Sequence, residues 1–296
     1  MNILITGGTG FIGSALSLCL LDQGHTLIVL TRQPEKIQSK NIRAIDSFDN
    51  ISSQEKIEAI INLAGEGIAD KRWSKERKKV LEASRVDLTA DLVKLIRRLD
   101  SAPKVLISGS AVGYYGDCAD NIVTEFSEPH DEFSHRLCAA WETQALRAKA
   151  DGVRVCIVRT GLVLGKDGGF IQKLLPLFRL GLGARLADGN QWMSWVHLDD
   201  MVKILLFLLN DDSHQGIYNA TAPNPVTNKI FTKMLASVLR RPTFLVLPKS
   251  ILNYMYGEMS SLLVTGQRVL PKRLEQSGFE YKYKAIKPAL IDVCSK

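Results

Sequence analysis

No apolar run in this 296-residue chain approaches the length needed to cross a bilayer, and Ile204 to Leu209 suits a buried helix segment instead. No basic stretch followed by an apolar run and a cleavage site opens the chain, so a cytoplasmic protein without a membrane partner is expected. The five cysteines, Cys19, Cys118, Cys138, Cys156 and Cys294, are odd in number and widely spaced. Without a Cys-x-x-Cys pair they argue against zinc and predict free thiols in a reducing compartment. The five histidines are likewise scattered without ligand spacing, so no metal site is expected.

Acidic residues fall short of basic ones, 31 Asp and Glu against 38 Lys and Arg, for a net charge of +7. The densest basic run, Lys71 to Lys79, opens a helical pattern whose apolar positions continue through Val80, Val86, Leu92, Val93, Ile96 and Leu99. Most of its charges therefore belong on a solvated helix face, and for want of a recognised binding fold no nucleic-acid partner is expected. With 46% hydrophobic and 23% charged residues, the chain can bury a full core.

What is present begins at the N-terminus. Ile3 to Thr6 reads as a short apolar strand, followed by Gly7-Gly8-Thr9-Gly10-Phe11-Ile12-Gly13, an apolar helix from Ser14 to Gln23, a turn at Gly24 and a second strand, Thr26 to Leu30. This is the order of a dinucleotide-binding βαβ unit. A side chain at Gly7 or Gly10 would block the tight turn and hold a pyrophosphate off the backbone, and Gly13 lets the helix approach the strand. The helix N-terminus then offers unpaired N–H groups and a positive dipole end that suit phosphate, and Phe11 and Ile12 of the turn are cofactor-binding candidates with the three glycines. An acid at the end of the second strand would accept hydrogen bonds from the ribose and repel a 2′-phosphate. Here stand Thr31 and Arg32, a hydroxyl and a planar cation, so NADP(H) is expected over NAD(H). The plainer alternative makes Arg32 a surface cation beside Lys36 and Lys40.

The Gly-x-x-Gly-x-x-Gly spacing, with Thr6 ahead of it, resembles the extended or atypical short-chain dehydrogenase/reductase superfamily. Farther along, Asn41 to Ile45 suits a third strand and Ser53 to Ala59 a short helix. Ala59 to Gly65 reads as a buried strand ending in small residues, so Leu63, Ala64 and Gly65 are candidates to line a cofactor crevice. On the next helix the superfamily usually holds an Asn toward the cofactor; here it is Arg85, suited either to a phosphate or ribose or to solvent.

The strand Lys104 to Ser108 runs into Gly109-Ser110-Ala111-Val112-Gly113-Tyr114-Tyr115-Gly116-Asp117, which resembles the Ser-rich strand end of extended short-chain dehydrogenases with one residue more. The resemblance implies that Ser110 polarises a substrate carbonyl. The superfamily's Tyr-x-x-x-Lys pair, in which the lysine eases proton exchange by the phenol, is replaced: aligning on Glu142 puts Ser134 and Cys138 at those places. Tyr114 or Tyr115 is then a candidate phenol, and His135 or Cys138 a candidate acid or base. The strand Val153 to Thr160 and the following Gly161 to Gly165 resemble the sixth strand and loop that face the nicotinamide, with Val163 as the contact. A helix, Phe170 to Leu180, leaves the sheet.

Trp195-Val196-His197-Leu198-Asp199-Asp200 looks like the His-x-x-Asp junction of sugar-nucleotide epimerases, with His197 structural and Asp199 or Asp200 capping a helix Met201 to Leu209. Where those epimerases carry an Arg for the substrate diphosphate, this chain has Met193, so a nucleotide sugar is not expected; Trp192, Met193 and Trp195 imply a more apolar pocket. A helix is expected over Asn228 to Leu239. Gly257-Glu258-Met259-Ser260, Gly266 to Leu274 and Gly278-Phe279, together with Asn62 to Glu66, Tyr114 to Gly116 and Trp141-Glu142, resemble the subgroup called epimerase-family proteins, once labelled cell-division inhibitors. That likeness spans the chain.

The expected fold is α/β, a Rossmann-like doubly wound parallel sheet with a smaller C-terminal substrate-side lobe. Residues 1–169 form the nucleotide domain, 196–220 return to it, and 170–296 form most of the second lobe. Two functions stand: an NADP(H)-dependent oxidoreductase or epimerase for a small carbonyl or hydroxyl compound, or an NADP(H)-binding protein that has lost hydride chemistry and reports cofactor state.

Overall fold

The computed structural model describes residues 1–37 and 39–295. Its centre is a seven-stranded parallel sheet built from β1 (Asn2–Thr6), β2 (Thr26–Leu30), β3 (Ile42–Ile45), β4 (Ala59–Asn62), β5 (Val105–Ala111), β6 (Arg154–Thr160) and β7 (Gly216–Ala220). The spatial order is β7-β6-β5-β4-β1-β2-β3. The sequence of strands reverses direction at β1, between β2 and β4, and the glycine turn opens at that switch point.

Strand composition follows from burial on two faces. Ile3 and Ile5 join Leu16 and Leu20 of α1 (Phe11–Asp22) and Ile204, Leu205 and Leu208 of α6 (Leu198–Asn210). Leu4 points the other way, into a cluster with Leu92 and Ile96 of α3 (Leu88–Arg98) and Ala145 of α4 (Phe133–Leu146). Alternation along a strand covered on both sides yields continuous apolar sequence.

Three local expectations are corrected. Helix α1 starts at Phe11 rather than Ser14, because the Ser14 N–H already reaches the Gly10 carbonyl at 2.8 Å. No helix forms over Ser53 to Ala59. Ser47 instead caps a single 3₁₀ turn, Phe48–Asn50, and Glu58 donates its N–H to the Asn2 carbonyl, drawing the segment straight into β4. Helix α6 starts at Leu198, and the His197 Nδ1 accepts the Asp199 N–H, so the imidazole caps the helix and the two aspartates do not. Asp200 is fully buried and accepts the N–H groups of Lys282 and Tyr283 at 2.7 and 2.9 Å, fastening the C-terminal segment.

The smaller lobe is organised around Phe178 of α5 (Gly169–Arg179), Phe231 and Leu235 of α7 (Asn228–Leu239), Trp195, and Leu290 of the C-terminal helix Ile286–Cys294. The chain crosses back through α6, which packs on α1, before β7 joins the sheet beside β6.

A buried polar ladder ties the strand ends where the crevice opens. Thr6 donates to Asn62 Oδ1 at 2.6 Å, while Asn62 Nδ2 donates to Thr89 at 2.8 Å and to Ser108 at 3.2 Å. Trp141 Nε1 also donates to Thr89, and the Ala64 N–H to Thr6. One amide thereby joins β1, β4, β5 and α3. Asn62→Ala strands several buried hydroxyls and is expected to lower stability by about 2–4 kcal/mol in urea denaturation, with the slope unchanged; a loss below about 0.5 kcal/mol would contradict this role.

Candidate functional site

The glycine turn has the geometry its residues predict. Gly7 holds φ +71°, and a Cβ there would lie 2.7 Å from the Leu63 backbone. A Cβ on Gly13 would overlap the Gly7 carbonyl oxygen, so only glycine lets the helix start against the strand end. Gly10 is the N-cap of α1 and supplies no side-chain cap, leaving the first N–H groups of the helix, at Phe11 and Ile12, without a capping side chain. The Phe11 ring turns the other way and fills the space beside Gly165, Gly168 and Gly169, joining the turn to the loop after the strand Leu162–Leu164. Val163 lies on that strand, half-buried, in register with Val196.

Leu63, Ala64 and Gly65 follow β4 and flank the glycine turn, and Arg85 comes to them. Its guanidinium lies against Gly65, Nη2 donates to the Glu66 carbonyl at 2.8 Å, and the Trp141 ring is 5.5 Å away. Arg85 is therefore half-buried at the loop rather than on a solvated face. A π-helical turn, Ala83–Asp87, between α2 (Lys75–Glu82) and α3 produces this placement, the kind of helix defect that redirects side chains at functional sites.

Thr31 and Arg32 stand at the end of β2 as expected. The Arg32 side chain is 90% exposed and Nη1 meets Glu66 Oε1 at 2.9 Å, while Arg77 reaches Oε2 of the same carboxylate at 3.3 Å. Two guanidinium groups on one carboxylate leave a net positive cluster beside the crevice. The basic run 71–79 is thus only partly a solvated stripe, since Lys78 also pairs with Glu258 at 2.7 Å.

Ser110 sits near the end of β5, in register with Arg159 of β6. Both side chains meet Glu142 of α4: Ser110 donates to Oε1 at 2.6 Å, and Arg159 donates through Nε to Oε1 and Nη2 to Oε2 at 2.9 and 2.8 Å. Arg159 Nη1 donates to the Tyr115 hydroxyl at 3.0 Å, and that hydroxyl donates to Asn219 Oδ1 at 2.7 Å. Sequence reasoning used Glu142 only as an alignment anchor and missed Arg159 and Asn219. The parallel register of β5 and β6 was the signal available for Arg159.

The two tyrosines separate. Tyr115 is fully buried, both sides of its oxygen are taken by protein, and burial pushes its phenol up to about 12, so it is withdrawn as a proton donor. Tyr114 is half-buried, with the Arg159 guanidinium 3.3 Å from its ring centroid and the His135 imidazole 4.9 Å away. His135 Nδ1 lies 2.7 Å from the Tyr114 carbonyl oxygen; a carbonyl only accepts, so Nδ1 carries a proton in this contact.

Ser134 faces the 3₁₀ turn Val112–Tyr115, where a Cβ on Gly113 would lie 3.2 Å from its own Cβ. Cys138 is buried, and burial, with the Glu142 charge adding to it, pushes its thiol up to about 11. A neutral thiol supplies no cation, so Cys138 does not stand in for the lysine. The apolar-pocket expectation is also corrected: Trp195 is fully buried in the smaller lobe's core, donating to the Asn224 carbonyl at 3.0 Å, and Met193 packs in the same cluster. Only Trp192 is partly exposed, its indole donating to Asp120 at 2.9 Å.

The raised Tyr115 pKa carries a sign. Because the folded value lies above the unfolded value near 10, stability is intact below about pH 10 and falls as pH rises toward about 12. In alkaline denaturation series, Tyr115→Phe is expected to be less stable than the parent at neutral pH and to lose less stability across that window. Parallel curves would show that the phenol is not held neutral by the fold.

Residues 3–221 match the NAD dependent epimerase/dehydratase family, and residues 247–293 match a domain of unknown function, DUF1731. The Epimerase family protein SDR39U1 homolog, chloroplastic, of Arabidopsis thaliana is 40% identical over 98% of this chain and 86% of its own. Epimerase family protein YfhF of Bacillus subtilis is 36% identical over 98% and 97%. The structure of human epimerase family protein SDR39U1 (isoform2) with NADPH superposes at a TM-score of 0.91, with 31% identity over 99% of both chains. The glycine cradle, the sheet order and these likenesses agree: the chain belongs to the NAD dependent epimerase/dehydratase family, in the branch of epimerase-family proteins that carry the C-terminal DUF1731 segment.

Proposed function

We propose that the protein is a cytoplasmic NADP(H)-dependent oxidoreductase or epimerase acting on a small carbonyl or hydroxyl compound other than a nucleotide sugar. The observation that carries the reading is the assembly of Ser110, Tyr114 and Arg159 at the ends of β5 and β6, in the same α/β sheet whose first turn forms the glycine cradle. NADPH in the human relative supports the choice of cofactor.

The residues fit such a cofactor. Gly7, Gly10 and Gly13 leave room for a diphosphate against the free N–H groups at the start of α1. Thr31 and Arg32, the latter paired with Glu66 here, would hold the 2′-phosphate, and Leu63, Ala64, Gly65, Arg85 and Val163 would form the walls. When bound, the nicotinamide supplies hydride transfer. Ser110 is buried and donates a hydrogen bond to Glu142, so it would accept from a substrate hydroxyl that reaches it, and a carbonyl substrate requires the serine hydroxyl to rotate. Tyr114, half-buried under the Arg159 guanidinium, would be the phenol that exchanges a proton, the cation stabilising negative charge on it.

A second reading, an NADP(H) binder without hydride transfer, is favoured by one observation: Ser134 and the neutral Cys138 occupy the Tyr and Lys places. Single-turnover oxidation of bound NADPH against a carbonyl panel separates the two. The enzyme reading expects turnover that Ser110→Ala slows about a hundredfold, whereas tight binding without turnover leaves the binder. By calorimetry, Arg32→Ala is expected to weaken NADPH about ten- to hundredfold and leave NADH unchanged; equal affinities for both nucleotides in the parent would remove the NADP(H) assignment.

A further inference from the structure

Two segments of the smaller lobe are free of acid. Residues 168–187 and 221–257 contain eight lysines and arginines and no aspartate or glutamate. They are neighbours in space: the strand Leu245–Leu247 pairs in parallel with Ala184–Leu186, and Gly181 approaches Pro242 at 3.8 Å from its Cβ position. The same segments hold most of the exposed large apolar side chains, namely Leu177, Leu180 and Leu182 before one strand and Phe244, Leu245 and Val246 at the other. The chain then enters α8 (Lys249–Tyr256), which buries Leu252 and exposes Ile251, Tyr254 and Met255. That spacing of three and four residues puts the exposed trio on one helix face.

Cations accompany this surface. Arg179, Arg240, Arg241 and Lys249 are exposed and have no carboxylate within 4.0 Å among the described residues. Acids border these segments at Asp167, Asp188 and Glu258; Asp188 accepts from Asn190, Glu258 pairs with Lys78, and Asp70 pairs with Lys173. Phe244 and Tyr254 are 87% and 86% exposed, so they stand out from the surface rather than line a cleft.

We propose that this face docks on an anionic phospholipid surface, with Phe244 and Tyr254 entering the headgroup boundary and Arg179, Arg240, Arg241 and Lys249 facing the lipid phosphates. Protruding apolar and aromatic groups with unpaired cations, and no acid in either segment, match that chemistry. A second copy of the chain fits less well, since it would set like charge against like. No helix among the described residues is long and apolar enough to span a membrane, and a peripheral contact needs none. The sequence expectation of no membrane partner rested on spanning runs and did not weigh surface contact.

Flotation of the full chain with vesicles of phosphatidylcholine containing phosphatidylglycerol tests the proposal against vesicles of phosphatidylcholine alone. Binding is expected only with the anionic lipid and is expected to fall as salt rises from about 0.1 to about 1 M. Arg240→Gln with Arg241→Gln should weaken it about tenfold or more, with an unchanged thermal transition. Phe244→Trp keeps the aromatic anchor, and its added indole fluorescence should shift to the blue on anionic vesicles. Equal binding to both lipids, no flotation, or an added fluorescence that shifts with protein concentration but not with lipid would each overturn the assignment, the last two in favour of an acidic protein partner and self-association respectively.

Discussion

The Arg159 guanidinium, 2% exposed in its side chain, is the fixed point of the site. A buried guanidinium must satisfy its donors and its charge at once, and Glu142 supplies a carboxylate across from it in fork geometry. Those constraints propagate. Glu142 Oε1 is left within reach of Ser110, Nη1 holds the Tyr115 oxygen, and the face of the cation carries the Tyr114 ring. Breaking one side of such a pair leaves an uncompensated charge in the core at a cost of about 3–5 kcal/mol. The pair therefore fixes where the candidate hydroxyl groups sit and which of them is accessible.

The C-terminal segment reaches the same network from the other side. Tyr115 donates to Asn219 of β7, Asn219 Nδ2 donates to the Leu270 carbonyl, and its N–H is held by Glu125, which also accepts the Arg273 N–H. Ser194 donates to the Gln267 carbonyl at 2.6 Å and accepts the Val269 N–H at 2.9 Å. Gly266 lies so near the Trp192 carbonyl that a Cβ would overlap it. Gly266 is thus a site of close backbone approach, and Leu270 lends its carbonyl, at the loops around the crevice. The tail belongs to the site's support, not to an independent unit hung beside it.

The nucleotide-binding half was legible because its requirements are local. A strand, a glycine turn with one residue in the left-handed region, and a helix opening without a side-chain cap are all written within thirty residues, and β2 falls where Thr26 to Leu30 predicts. The expectation failed where local composition competed with long-range pairing. Ser53 to Ala59 has helix-compatible residues, yet the Glu58 N–H is claimed by Asn2 and Ile57 is buried ahead of β4. Trp195 beside a polar loop suggests a pocket wall, but its strand pairs with Leu162–Leu164 and carries it into the core. Tyr114 and Tyr115 are indistinguishable by type; a 3₁₀ turn sends one ring inward and leaves the other half-exposed.

Loss of the Tyr-x-x-x-Lys pair has a geometric consequence beyond the missing groups. In that arrangement the phenol stands on the helix and its cation one turn later. Here the helix turn carries Ser134 and Cys138, and the phenol and cation come from elsewhere, Tyr114 from the loop after β5 and Arg159 from β6. A lysine ammonium is mobile and deprotonates when desolvated, whereas a guanidinium fixed by a bidentate carboxylate keeps its charge through any accessible pH. Arg159 can hold negative charge on Tyr114 but cannot pass on a proton. His135 packs edge-on against the same ring, with its Nδ1 2.7 Å from the Tyr114 carbonyl oxygen. The Tyr114 ring thus lies between a buried arginine that keeps its charge and a half-buried histidine, where the superfamily's pattern sets a single lysine.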